Sequence, residues 1–248
     1  MTLEQFFAEN REVAVAFSGG VDSAYLLYAA TRYAARAKAY YVSTAFQPEF
    51  ELEDARRLAA DVGADMQVLH VDVLMSGAVV ANPPDRCYHC KNTLFRQILR
   101  AAESDGFSLL LDGTNASDDA GDRPGMRALR ELSVRSPLRE CGLTKAEIRR
   151  LSREAGLFTW DKPAYACLAT RIRTGEEITL QKLKQTEKAE GFLFGLGLRD
   201  FRVRMVGNTA KLELRETDLP LLLENREKIV TELRKDYNSV LLNLEVRK

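Results

Sequence analysis

Along the first two thirds of the chain, stretches of strand-like and helix-like periodicity alternate. Val13–Phe17 is a short unbroken apolar run, the pattern of a strand buried on both faces. Good helix formers follow over Ala24–Ala35. Strand-like runs at Ala39–Ser43 and Met66–Val71 then enclose a helical stretch, Glu51–Val62. Arg86–Ala102 reads as helix, and Leu109–Leu111 as another buried strand that runs into Asp112-Gly113. This alternation predicts an α/β fold, a doubly wound parallel sheet with helices on both faces. Ligands bind such sheets at the carboxyl ends of the strands. The segments after Phe17 and after Leu111 are both at such ends.

The pattern then changes. Pro163–Gly175 has no clear period and is expected to link two units. Leu180–Leu196 is helical and ends at Gly197. Phe201–Val206 and Lys211–Leu214 alternate on either side of Gly207-Asn208, a hairpin-type turn signal. Leu219–Arg234 is predicted as helix and Val240–Val246 as a last strand. The expected organisation is a nucleotide-handling domain over residues 1–172 and a small α+β domain over residues 176–248, the latter for substrate binding or oligomerisation.

The clearest chemistry lies at Ser18-Gly19-Gly20-Val21-Asp22-Ser23, directly after the first strand and opening a helix. Glycines there let the backbone turn sharply and approach a phosphate. The N–H groups they expose, with the helix N-terminus beyond, form an anion site. Ser18 and Ser23 add hydroxyl donors, and Asp22 can help hold magnesium. No G-x-x-x-x-G-K-[ST] is present, so this is not the kinase or GTPase loop. A strand–SGGxDS–helix order resembles the ATP pyrophosphatase family, which includes NAD synthetase, GMP synthetase, asparagine synthetase and the tRNA thiolases. That resemblance implies cleavage of ATP to AMP and pyrophosphate through an adenylylated intermediate. Gly113, Thr114 and Asn115, after Asp112 at the end of a later strand, suit the facing wall of the same ATP site. Asp118 and Asp119 fit either magnesium placement or a solvated acidic loop.

Composition narrows the possibilities. Lys+Arg and Asp+Glu balance at 36 each, so no overall basic field draws in nucleic acid. No apolar run approaches the roughly 18 residues needed to span a bilayer. The acidic stretch Met1–Asn10 is not a signal peptide, and the expected location is the cytosol. With only His70 and His89, no Ser/His/Asp constellation can be drawn.

Four cysteines do not make a disulfide scaffold at this length. Cys87-Tyr88-His89-Cys90 is a C-x-x-C pair, and Cys167 lies in Ala166-Cys167-Leu168-Ala169-Thr170-Arg171, where a cation favours thiolate. Three uses stand open. Inert buried thiols suit Cys141 best. Zinc wants four ligands, and His89 inside the pair is awkwardly placed to be one. Three thiolates can hold a [4Fe–4S] cluster and leave one iron open to an exogenous ligand.

Taken together, the blocks AFSGGVDS (16–23), PDRCYHCK (84–91), LDGTNASD (111–118), RPG (123–125) and ACLATRI (166–172) resemble the LarE family of ATP-dependent sulfur transferases. The likeness extends through FRVR (201–204) and KLEL (211–214). It implies ATP and magnesium as cofactors and a small-molecule partner, pyridinium-3,5-biscarboxylic acid mononucleotide, whose carboxylates become thiocarboxylates. It also implies a homo-oligomer with no nucleic-acid or membrane partner. Two sulfur sources are implied within the family: a surrendered cysteine, matching Cys167, or sulfide on a [4Fe–4S] cluster in members with three cysteines. With Cys87, Cys90 and Cys167 present, the cluster route is expected, Asp22 and Cys167 being the central catalytic positions. Arg202 and Arg204 match phosphate-binding arginines, and Glu190 and Glu213 match acidic positions that bind divalent metal. The competing readings are a tRNA thiolase and a nucleotide-binding iron or redox sensor without catalysis. Pyrophosphate release that depends on a carboxylated pyridinium nucleotide separates them.

Overall fold

In the computed structural model of the protein, residues 1–118 and 124–247 are described. Strands β1 (Glu12–Ala16), β2 (Arg36–Ser43), β3 (Asp65–His70) and β4 (Leu110–Leu111) form a parallel sheet in the order β3-β2-β1-β4. Side chains alternate across a strand, and both faces of β1 are buried. Val13 and Val15 join Phe6, Phe7, Leu26, Leu27 and Leu58 in one apolar cluster, while Ala14 and Ala16 join Ile98, Ala102 and Phe107 in another. Helices Leu3–Glu9, Val21–Tyr33, Glu49–Asp61 and Lys145–Glu154 supply the first cluster. Helix Arg86–Ser104 supplies the second. Each fully buried leucine is worth about 1.5–3 kcal/mol, so the unbroken apolar run of β1 fixes a two-sided sheet.

The chain divides into two compact units: Met1–Val73 with Asp85–Ala164, and Leu74–Pro84 with Tyr165–Lys248. The division falls before Tyr165, inside the aperiodic stretch Pro163–Gly175 expected to link two units and ahead of the expected first-domain end at residue 172. It also assigns to the second unit a short piece that local sequence gave no reason to separate. That piece is held by long-range backbone bonds: Gly175 N–H donates to Asn82 O at 2.8 Å and Ile178 N–H to Val80 O at 2.9 Å.

In the second unit β5 (Phe201–Val206) and β6 (Thr209–Leu214) are antiparallel, and β7 (Ser239–Leu242) lies parallel to β6. The hairpin closes at the expected dipeptide, with Gly207 at φ 58° in the first central position. Two expected elements differ. The Leu219–Arg234 stretch is two helices, Leu219–Glu224 and Arg226–Leu233, broken at Asn225. The Asn225 side-chain amide donates to Leu221 O at 3.0 Å, a local bond that competes with helix continuation. The last strand stops at Leu242, and Leu244 beyond it is exposed. Among the described residues no helix is long and apolar enough to cross a membrane.

Candidate active site

In the first unit the chain leaves β1 and enters the Val21–Tyr33 helix through Ser18, Gly19 and Gly20. Gly19 has φ 72°, and a Cβ there would lie 3.3 Å from that of Ala55. Gly20 is the helix N-cap and offers no side-chain cap, so the first-turn N–H groups remain for an anion. Ser23 braces the turn from inside: its Oγ accepts from Ser18 N–H at 3.2 Å, lies 2.9 Å from Ser18 Oγ and donates to Gly20 O at 3.2 Å. The loop is thus preformed by its own residues.

Asp22 projects from the first turn. Its Oδ2 pairs with Lys145 Nζ at 2.6 Å, and its Oδ1 is buried with no hydrogen-bond partner among the described residues. An orphaned carboxylate oxygen beside an anion site is what a nucleotide-bound magnesium would satisfy. Lys145 was not singled out from the sequence. Its only local signal is the capping box of Thr144 with Glu147, which places Lys145 at the start of a helix without saying what it faces.

The loop after β4 forms the opposite wall. Asp112 is nearly buried and both its oxygens accept hydroxyl donors, Ser136 at 2.6 Å and Thr114 at 2.5 Å. Asn115 N–H donates to Asp118 Oδ2, and Ser117 N–H to Asn115 Oδ1, both at 2.8 Å. Gly113 meets the phosphate loop directly: a Cβ on it would sit 2.9 Å from Ser23 N. Asp119 and Arg123 lie outside the described residues.

A cavity of about 580 Å³ joins these parts, lined by Ser18, Gly20, Asp22 and Ser23, by Asp112, Gly113, Thr114 and Asp118, and by Cys87, Lys91 and Phe95 of the Arg86–Ser104 helix. Cys87 and Cys90 lie near the N-terminus of that helix at i, i+3 spacing. Cys87 is exposed and Cys90 half-buried, and neither forms a disulfide. The buried Arg86 guanidinium is 3.9 Å from Cys87 Sγ. His89 turns to Asp85, with Nε2 3.3 Å from Oδ2. Cys141 is half-buried, and burial pushes its thiol above the usual range.

The second unit carries the other predicted residues. Cys167 precedes a turn, Leu168–Arg171, and its carbonyl accepts from Thr170 N–H at 2.9 Å and Thr170 Oγ1 at 2.8 Å. Arg204 donates from Nε to Glu213 Oε2 and from Nη1 to Thr170 O, both at 2.7 Å. Arg202, opposite Glu213 in the β5–β6 register, is half-buried. Burial and the guanidinium groups of Arg247, Arg171 and Arg204 push its pKa below the usual arginine range. A cation held among like charges favours an anion between them. Arg247, which the sequence reading did not single out, pairs with Asp200 at 3.0 Å and leaves its buried Nε without a partner among the described residues.

Glu190 sits differently from the open carboxylate that metal binding needs. It is 1% exposed, and both its oxygens are taken within the protein by Arg171, Tyr165 and Val203 N–H. Among the described residues no three His, Cys, Asp or Glu side chains converge as a metal-ligand set.

The asparagine synthase family matches residues 4–115, the segment that carries the phosphate loop and its facing wall. An uncharacterized protein of Synechocystis sp. is 39% identical over 215 residues, covering 86% of this chain and 80% of the relative. A protein of Methanocaldococcus jannaschii is 30% identical over 240 residues, 96% of this chain and 91% of the relative. The pyridinium-3,5-bisthiocarboxylic acid mononucleotide synthase of Lactiplantibacillus plantarum is 30% identical over 235 residues, 94% of this chain and 85% of that enzyme.

Proposed function

This chain belongs to the LarE family of pyridinium-3,5-bisthiocarboxylic acid mononucleotide synthases, and we propose that it converts the carboxylates of the corresponding biscarboxylic mononucleotide to thiocarboxylates at the expense of ATP. A carboxylate resists nucleophiles because it is anionic and oxide is a poor leaving group. Attack of its oxygen on the α-phosphorus of ATP forms an acyl-adenylate and releases pyrophosphate. The N–H groups of the first helical turn after Gly20 offset the charge on the departing pyrophosphate, and Asp22 is the residue that would hold a nucleotide-bound magnesium, which would supply further charge neutralisation there. Hydrosulfide then attacks the acyl carbon: a C–S bond forms, the C–O bond to AMP breaks, and AMP leaves with the bonding pair while the sulfur loses its proton.

On the family likeness, Cys87, Cys90 and Cys167 are the thiolates proposed to hold a [4Fe–4S] cluster, and none of them is in a disulfide. Such a cluster supplies a bound sulfide for insertion. Arg202 and Arg204 are the groups proposed for the nucleotide's own phosphate, for which paired guanidinium donors are suited.

The observation that carries the proposal is a single cavity shared by the phosphate loop and Cys87. ATP activation alone needs no thiol, and a thiol alone needs no adenylate. The test is protein purified without oxygen, reconstituted with iron and sulfide, then given Mg-ATP and the dicarboxylated nucleotide. The expected results are a cluster absorption band, nucleotide-dependent pyrophosphate release and sulfur-containing product, with Cys167 intact by mass spectrometry. Absence of the band together with conversion of Cys167 to dehydroalanine would overturn the cluster route. Pyrophosphate release indifferent to the pyridinium nucleotide would overturn the substrate.

A further inference from the structure

Glu190 and Arg171 form the most deeply buried ion pair among the described residues, with side chains 2% and 1% exposed. Arg171 Nε and Nη2 engage the two oxygens of Glu190 at 2.7 and 3.0 Å. The Tyr165 hydroxyl donates to the same carboxylate, and Val203 N–H donates to it at 2.9 Å. The remaining guanidinium nitrogen of Arg171 turns back on the Cys167 segment, donating to Ala166 O at 2.9 Å and Thr170 Oγ1 at 2.8 Å. Its carbon lies 4.8 Å from the centre of the Tyr165 ring. Burial works against the charge on Arg171, and the hydrogen bonds and charge of Glu190 outweigh it.

An ion pair this deep gains little net stability, because desolvation of both charges offsets their attraction; its attested use is to fix one geometry. Here all three guanidinium nitrogens and both carboxylate oxygens are engaged, and beyond the pair itself they reach the same few residues. These are Tyr165, Ala166 and Thr170 around Cys167, and Val203 between Arg202 and Arg204 on β5. We infer that Glu190 is a positioning residue, which through Arg171 and Tyr165 holds the turn bearing Cys167 in one conformation and in register with the arginine-bearing strand. The inference rests on the reading of Cys167 as the thiol that handles sulfur, but the shape of the turn can be measured without that chemistry.

The test begins with iron-free protein and the variants Glu190→Gln and Tyr165→Phe, the latter keeping the ion pair and so guarding against a failure to fold. Hydrogen exchange is followed at residues 166–171, with residues 13–17 of the first unit as the internal reference. Exchange at 166–171 is expected to accelerate at least tenfold in Glu190→Gln and less in Tyr165→Phe, the reference being unchanged. In reconstituted enzyme, kcat for sulfur insertion should fall at least tenfold while the KM for ATP stays at the wild-type value. Unchanged exchange at 166–171 in a folded Glu190→Gln protein would overturn the inference. So would a manganese titration of nucleotide-free protein in which the wild type binds one ion more than Glu190→Gln. If the wild type makes no thiocarboxylate while the exchange result holds, the proposed function fails and the positioning role stands.

Discussion

At the scale of single residues, the site depends on one place where two backbones nearly touch. A methyl group on Gly113 would lie 2.9 Å from Ser23 N and 3.1 Å from Ser23 Cα. Both are backbone atoms of a braced helix start, so neither can swing aside. The Gly113→Ala variant must therefore push the phosphate loop and its facing wall apart by a few tenths of an ångström or more. A misplacement near 1 Å costs about a hundredfold in rate. ATP-dependent pyrophosphate release is expected to fall by about tenfold to a hundredfold, with far-UV circular dichroism unchanged. A wild-type rate would show that the two walls need not meet. The sequence revealed Gly113 as part of a loop at a strand end, but not this contact, because Gly113 and Ser23 are brought together only by the pairing of β1 with β4. Lys145 escaped notice for the same reason: its partner Asp22 lies on a different helix, far off in sequence.

At the scale of elements, periodicity and end signals carried most of the fold. Strands β1 and β4 were legible because burial on both faces leaves no polar position to break the apolar run, as in Val13–Phe17. The Asn225 break and the early end of β7 were not legible, since apolar residues such as Leu223 and Leu244 look like core but are exposed. The Lys145–Glu154 helix begins with a capping box whose two halves are reciprocal. The Thr144 hydroxyl donates to Glu147 at 2.7 Å and accepts from Glu147 N–H at 3.3 Å, and Thr144 N–H donates to the Glu147 carboxylate at 2.9 Å. Hydrogen bonds from the Thr144 side chain and backbone hold the Glu147 carboxyl below the usual range. A depressed carboxylate contributes stability above its unfolded pKa, about 4.3, and loses it as pH falls through the lower folded value. The Thr144→Ala variant should therefore melt a few degrees below wild type at neutral pH. That gap should narrow in melts taken below about pH 4. A gap that widens on acidification would show that Glu147 is not part of the stabilising box.

At the scale of the molecule, each unit carries a candidate anion site that can be read by itself. The phosphate loop and Gly113 belong to the first unit, Cys167 and the arginines of β5 to the second. The phosphate loop and its facing wall could be located from contiguous motifs. The arginines of β5 stood out only through family likeness, because Arg202 and Arg204 are ordinary alternating charges until Arg247 and Arg171 are brought near Arg202 by the fold. A ligand stabilises what it binds by about 2.7 kcal/mol at a hundred times its dissociation constant, and local hydrogen exchange reports where. Mg-ATP is expected to slow exchange at residues 18–23 and 112–115, leaving 201–206 as it was. The pyridinium mononucleotide should slow exchange at 201–206. Arg202→Ala should abolish that second protection and raise the KM for the mononucleotide, while the Mg-ATP protection persists. If Arg202→Ala leaves both the KM and the protection at 201–206 unchanged, the nucleotide's phosphate is held elsewhere. If it removes protection at 18–23 as well, the two anion sites are coupled, and ATP cleavage should then depend on the phosphate of the acceptor.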